Sequence, residues 1–246
     1  MRAPATLIAA MLIATPAAAQ DGMGHDHTAA THLNQMGGRT VWKVMADRME
    51  VKTREGREDF VWEGAAWWGG DYNRLWFETE GETGLERVET GEASVELAYS
   101  RAVSAFFDVQ AGARYDLAPE GRTAAMVGLQ GLAPYWFEVD LEAWMDTEGD
   151  VRGAMEVEYD LLLTQSLVLQ PRAEAEIAAQ DIPELGLGAG FTEISIGARL
   201  RYDIRREFGP YVGVEWSRPV GETAQIRAAG EDPGGVAALA GVRVWF

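Results

Sequence analysis

The sequence has no cysteine, only two lysines, and three histidines confined to one short stretch near its start. Without a thiol, thiolate metal sites, iron–sulfur clusters, disulfide frameworks and cysteine nucleophiles are all excluded. Lys43 and Lys52 are the only lysines, and 39 acidic residues outnumber 21 basic ones for a net charge of -18. A chain so poor in cations lacks the clusters that grip a phosphate backbone, so nucleic acid is excluded and cations are the expected partners. Beyond His32 there is no imidazole, so neither a Ser-His-Asp triad nor a His-ligated metal centre can be built in the rest of the chain. Paired carboxylates such as Glu156 and Glu158 could share a strand face, but no aromatic platform for a sugar accompanies them. No catalytic residue is assigned, and the chain is read as a non-enzyme.

Long hydrophobic runs are also missing, with one exception at the start. Residues 1–19 hold basic Arg2, an apolar stretch from Leu7 to Ala14, and Ala17, Ala18 and Ala19 before Gln20. This is the three-part pattern of a secretory signal peptide, with cleavage expected after Ala19. Past it, no apolar run approaches the roughly 18 to 20 residues that a membrane helix requires. Any membrane crossing must therefore use strands.

Residues 20–42 are polar, rich in Gly, His and Met, and show no sustained period of 2 or 3.6, so a flexible extension is expected. From 43 to 246 the texture changes to stretches of alternating polarity separated by turn clusters, the signature of a transmembrane β-barrel. Phe137, Val139, Leu141, Ala143 and Met145 alternate with Glu138, Asp140 and Glu142. Ile194, Ile196, Ala198, Leu200 and Tyr202 alternate with Ser195, Gly197, Arg199, Arg201 and Asp203. One face suits lipid and the other a charged lumen.

Alternation alone equally suits a soluble sandwich or lipocalin, so the aromatics and connections decide. Trp67, Trp68, Tyr99, Phe106, Phe107, Tyr135, Trp136, Phe137, Tyr159, Phe208 and Tyr211 gather at the ends of the alternating runs, as an interfacial girdle would. Short connections interleave with a second set at 54–58, 82–91, 116–122, 146–150, 178–192 and 218–234, most of them longer and rich in Gly, Pro and acid. Short periplasmic turns and longer external loops are the habit of outer-membrane barrels. The count is about twelve strands, with both barrel ends on the short-turn side. Asp47 breaks the alternation of the first strand, which leaves ten as an alternative. Val242, Val244 and Phe246 fit a last strand reaching the periplasmic interface.

Two groups of residues could carry chemistry. In the extension, Met23, His25, His27, His32 and Met36 offer imidazole for Cu(II) and thioether for Cu(I), so copper can be held in either oxidation state without cysteine. Zinc or nickel could use the same imidazoles. In the barrel, the lumen face is expected to carry Glu138, Asp140, Glu142, Glu156, Glu158, Glu174 and Glu176, with Glu78, Glu80, Glu96, Asp108 and Glu215, against Arg114, Arg152, Arg172, Arg199 and Arg201. Excess carboxylate inside a low-dielectric wall concentrates cations. An equal alternative is a packed lumen of Arg–carboxylate networks through which nothing passes. Met126, Met145 and Met155 are read as membrane-facing.

The segments GGDYNRLWFETEGE (69–82), YSRAVSAFFDVQAGARYD (99–116), GLQGLAPYWFEVD (128–140), YDLLLTQSLVLQPR (159–172) and RLRYDIRREFGPYVGVEW (199–216) together resemble the bacterial copper resistance protein B family. The resemblance runs from about Asp47 to Phe246. It implies an outer-membrane protein of copper resistance and homeostasis, working beside a periplasmic multicopper oxidase, with a Met- and His-rich segment in the periplasm ahead of the barrel. That segment is short in this sequence. The expected role is capture of periplasmic copper by the extension and its passage through the acidic lumen. The alternatives are a general small-solute or cation porin and a structural barrel.

Overall fold

The computed structural model describes residues 40–85, 90–227 and 234–246. Twelve strands follow one another: β1 (Val41–Arg54), β2 (Arg57–Gly69), β3 (Asn73–Gly84), β4 (Thr90–Ala102), β5 (Phe107–Ala118), β6 (Arg122–Ala133), β7 (Phe137–Asp146), β8 (Val151–Glu158, resumed at Leu161–Leu162), β9 (Leu167–Ala178), β10 (Gly190–Tyr202), β11 (Phe208–Pro219) and β12 (Gly235–Trp245). Leu161–Leu162 belongs to β8 because the pairs Glu158↔Arg172 and Leu162↔Val168 keep one register against β9. Each strand pairs antiparallel with the next, and β12 pairs with β1 to close the ring. Closure matters in hydrocarbon, where an open edge would leave backbone N–H and C=O groups unsatisfied. Among the described residues no helix is long and apolar enough to cross a membrane.

The two faces of the wall differ as the alternation requires. Leu97, Val127, Ile196, Val212 and Val236 point outward and are exposed. So continuous an apolar band could not stand against water and is the lipid-facing belt. Trp42, Trp68, Tyr72, Phe106, Tyr135 and Trp136 form an exposed aromatic rim at the short-turn end. Met145 and Met155 also face outward.

Three residues lie on the opposite side from the one expected. Trp67 packs inside against Trp76, with ring centroids 6.2 Å apart. Tyr211 is 6% exposed and donates its hydroxyl to Glu50. Met126 is 3% exposed and packs with Trp76, Ala98, Ala124 and Trp144. Strand parity explains each: Trp67 shares its side with Glu63, Tyr211 with Glu215, and Met126 with Arg122. The first connection of the loop end, expected across 54–58, is a two-residue turn. Glu55 and Gly56 take positive φ values of 50° and 85°, the left-handed geometry that matches the twist of a tight hairpin.

The break at Asp47 is a β-bulge. The register of β1 shifts there against both of its neighbours. One extra residue therefore lets Met45 before the bulge and Arg48, Glu50 and Lys52 after it all face inward. The first strand is real, and the ten-strand alternative falls away. β1 also begins at Val41, two residues before the expected start.

The closing seam is held from inside. Arg199 on β10 donates from Nε to Glu50 Oε2 at 3.0 Å and from Nη2 to Glu50 Oε1 at 2.9 Å, and also to Glu215 Oε2 at 2.9 Å. Lys52 Nζ reaches Glu215 Oε1 at 2.6 Å. These groups span β10 to β1 by crossing β12, where Gly241 leaves the space. A Cβ there would lie 2.7 Å from Glu50 Cβ and 2.7 Å from Tyr211 Cζ.

Two outcomes are expected in detergent. Gly241→Val should break the seam and destabilise the barrel by about 3–5 kcal/mol, the usual consequence of parting a buried ion pair. Ala240→Val, on the lipid side, should leave the thermal midpoint within a degree or two; equal midpoints for the two variants would refute the seam. Deleting Asp47 should leave a barrel that still migrates faster before boiling than after, because Met45 and Arg48 keep their inward parity. Deleting Ile196 should abolish that shift, since a regular strand can absorb the loss only by turning charged lumen residues such as Arg199 toward lipid, at about 2–4 kcal/mol per arginine at the midplane.

Candidate functional site: the acidic lumen

The inward positions of the strands enclose a cavity of about 1180 Å³. Its wall runs from Lys43, Gln130 and Arg243 at the short-turn end to Arg54, Glu92 and Arg227 at the loop end. Glu138, Asp140, Glu142, Glu156, Glu158, Glu174 and Glu176 all line it. Met23, His25, His27, His32 and Met36 lie outside the described residues.

The guanidiniums inside are already surrounded by carboxylates. Arg114 meets Glu80 at 3.0 Å, Glu96 at 2.6 Å and Asp116 at 2.8 Å, while its plane sits 4.5 Å from the Trp144 ring centroid. Arg172 pairs with Glu156, with Glu158 at 3.3 Å, with Glu174 at 3.2 Å and with Glu63 at 3.5 Å. Arg48 bonds the same oxygen of Glu63, Oε2, that Arg172 approaches. Arg201 bonds Asp160 and Asp203, both at 2.9 Å. Arg114, Arg172 and Arg201 thus each serve two or more carboxylates, while Arg48 and Arg152 are each paired with one.

The surplus is anionic. Glu78, Glu138, Asp140 and Glu142 have no ion-pair partner among the described residues, and buried Asp140 Oδ1 has no hydrogen-bond donor. Oxygens of Glu78, Glu96 and Glu142 lie within 4.8 Å of one another, from three different strands. Among the described residues, Glu176 accepts a long bond, 3.5 Å, from Thr192 Oγ1. A low-dielectric wall around surplus carboxylates focuses a negative field, which favours cations over anions.

At the loop end the β9–β10 connection and α1 (Gly221–Arg227) fold together over part of the mouth. Gly188 N donates to Thr223 Oγ1 at 2.9 Å, and Ile182 and Thr223 are fully buried. Leu185, Leu187 and Ile226 then face the cavity.

Residues that alternation did not reveal are Arg48, Glu50, Lys52 and Glu63. The bulge at Asp47 scrambles the parity of β1, and Glu63 sits in a strand whose inward neighbours Val61, Ala65 and Trp67 are uncharged. The signal available for Glu63 was its shared parity with Asp59, two turns of the alternation away.

A family model described as copper resistance protein B precursor (CopB) matches residues 40–246. Copper resistance protein B of Escherichia coli is 40% identical over 205 residues, covering 82% of this chain and 69% of that protein. The copper resistance protein B homolog of Pseudomonas syringae pv. tomato is 38% identical over 204 residues, with the same coverage of 82% and 69%. Among solved structures, the NanC porin is similar in fold, with a TM-score of 0.54 at 13% identity over 83% of this chain and 99% of that one. Match to the family model across the whole described barrel, together with these relatives, makes the chain a member of the copper resistance protein B family.

Proposed function

We propose that this protein works in copper resistance and homeostasis at the outer membrane, binding copper in the periplasm through its N-terminal segment and admitting cations through its acidic barrel. Family membership over residues 40–246 is the observation that carries the reading. In this account residues 1–19 are a signal peptide, 20–42 a periplasmic copper-binding extension and 43–246 the barrel. The short-turn end of the barrel faces the periplasm, as short turns do in barrels of this type.

Chemistry supports a division of labour. Met23, His25, His27, His32 and Met36 combine a ligand for Cu(II) with one for Cu(I), so the extension can hold the metal through a change of oxidation state. Lumen carboxylates are hard oxygen donors that bind copper more weakly than imidazole or thioether, which suits a path better than a store. Glu138, Asp140 and Glu142 are the carboxylates expected to matter there, because no guanidinium neutralises them. A periplasmic multicopper oxidase, as the acceptor or donor of the metal, completes the scheme. The alternative of a general cation porin would use the same lumen but need no metal-binding extension.

Replacing His25, His27 and His32 by Ala should remove most Cu(II) binding by the mature protein, and replacing Met23 and Met36 should weaken Cu(I) preferentially. Since only neutral imidazole binds metal, Cu(II) affinity should decline as the pH falls below about 6.5. Metal analysis of protein with and without residues 20–42 provides the check, alongside growth of a deletion strain on copper. Full copper content without the extension, or growth indifferent to copper, contradicts the reading.

A further inference from the structure

The lumen is bridged at mid-height. Arg172 occupies the centre of β9, yet it reaches Glu63 at the centre of β2 at 3.5 Å, and Arg48 at the centre of β1 grips the same carboxylate. In the ring, β9 and β2 are separated by β10, β11, β12 and β1. The Arg48–Glu63–Arg172 strap is therefore a chord across the bore that spans more strands than the other cross-lumen pairs, Arg199 to Glu50 from β10 to β1 and Arg152 to Asp116 from β8 to β5. Both ends are anchored: Arg172 by Glu156, Glu158 and Glu174, and Arg48 by the bulge that turns it inward.

On the side of the chord toward β10–β12, the space is filled at mid-height, and the cavity reaches that side only nearer its ends, at Ser195, Glu215 and Ala237 toward the loops and at Asp47 and Arg243 toward the short turns. Glu50, Arg199 and Tyr211 are 1%, 3% and 6% exposed, and none of them lines the cavity. On the other side, Glu78, Asp140, Glu142, Ala154 and Glu156 line it. Glu78, Asp140 and Glu142, which have no ion-pair partner among the described residues, are thus on the open side.

We infer that the Arg48–Glu63–Arg172 strap is a partition that closes one side of the bore and confines permeating cations to a narrow lane along β3, β7 and β8. The inference rests on the proposed conduction of cations by the barrel and identifies where in the lumen it occurs. It makes Glu63 the residue that sets the bore, and Asp140 and Glu142 the residues that set its charge preference. The strap holds two guanidiniums near the axis, so it also keeps the permeating cation against the acidic wall rather than in the middle.

Planar-bilayer recording of the full mature protein in KCl separates the parts. Glu63→Ala removes the β2 anchor while Arg172 keeps three carboxylates on β8 and β9, so single-channel conductance should rise at least about twofold and K⁺ over Cl⁻ selectivity should fall. Glu63→Gln, which keeps the volume, should change both in the same direction by less. The pair Asp140→Asn and Glu142→Gln should lower selectivity with no rise in conductance. Ala154→Leu, which thickens the lane wall without touching the strap, should lower conductance at least about twofold. Heat-modifiable gel mobility reports whether each variant has folded. A conducting wild type in which folded Glu63→Ala is unchanged, or in which Ala154→Leu is unchanged, overturns the lane and leaves conduction standing. Silence of the wild type and of Glu63→Ala alike overturns the lane and the conduction together.

Discussion

A strand that crosses a membrane as part of a closed wall hands its side chains alternately to lipid and to the lumen, and this two-residue period governs the rest of the structure. Isoleucines, valines and leucines at one parity make the lipid belt; glutamates and arginines at the other have nowhere to go but the interior. The period tolerates no slip, because a shift by one residue exchanges the two faces. Where the first strand must change phase, it does so through the extra residue at Asp47, and the charge so released finds Arg243 at 2.7 Å. Where inward side chains must pass over a strand, a glycine makes the gap, as Gly241 does beneath Glu50 and Tyr211.

Sorting the charges inward creates a second problem, which the arginines solve unequally. A guanidinium out of water needs carboxylate partners, and a buried pair deprived of one member loses several kcal/mol. Arg199 and Arg172 each satisfy this many times over, and in doing so they tie together β10, β11 and β1, and β8, β9 and β2. Pairing consumes acids around the lumen, with Arg114 taking Glu80, Glu96 and Asp116 and Arg199 taking Glu50 and Glu215. Glu78, Asp140 and Glu142, without an ion-pair partner among the described residues, face the cavity that remains.

How far such an interior can be read from sequence depends on whether the period is visible. In β7 from Phe137 to Glu142 and in β10 from Ile194 to Tyr202 the side chains fall on the sides that alternation assigns, whereas the register shift at Thr192 and the inward Trp144 escape it. Around β1 the bulge erases the pattern, and with it Arg48, Glu50 and Lys52 go unrecognised as lumen residues. Trp67 and Tyr211 mislead for a different reason: an aromatic near a strand end suits both an interfacial rim and a plug, and only its parity with Glu63 or Glu215 distinguishes them. The bridge from Arg172 to Glu63 joins residues with no fixed spacing in sequence. It exists because twelve strands curve through a full circle, which local pattern cannot express. The copper-binding assignment of the extension, by contrast, rests on side-chain chemistry alone, since an imidazole and thioether cluster needs no fold to attract the metal.

Family membership and an interior holding carboxylates without ion-pair partners support the proposal that copper ions enter the barrel while anions do not. Liposomes bearing the mature protein, loaded with a fluorophore quenched by copper, test it directly. Cu(II) added outside should quench the trapped dye faster than in protein-free liposomes, while an anionic quencher of similar size should gain little. Quenching by the anion at the same rate as by Cu(II), or no entry of Cu(II) above the protein-free background, would contradict the account.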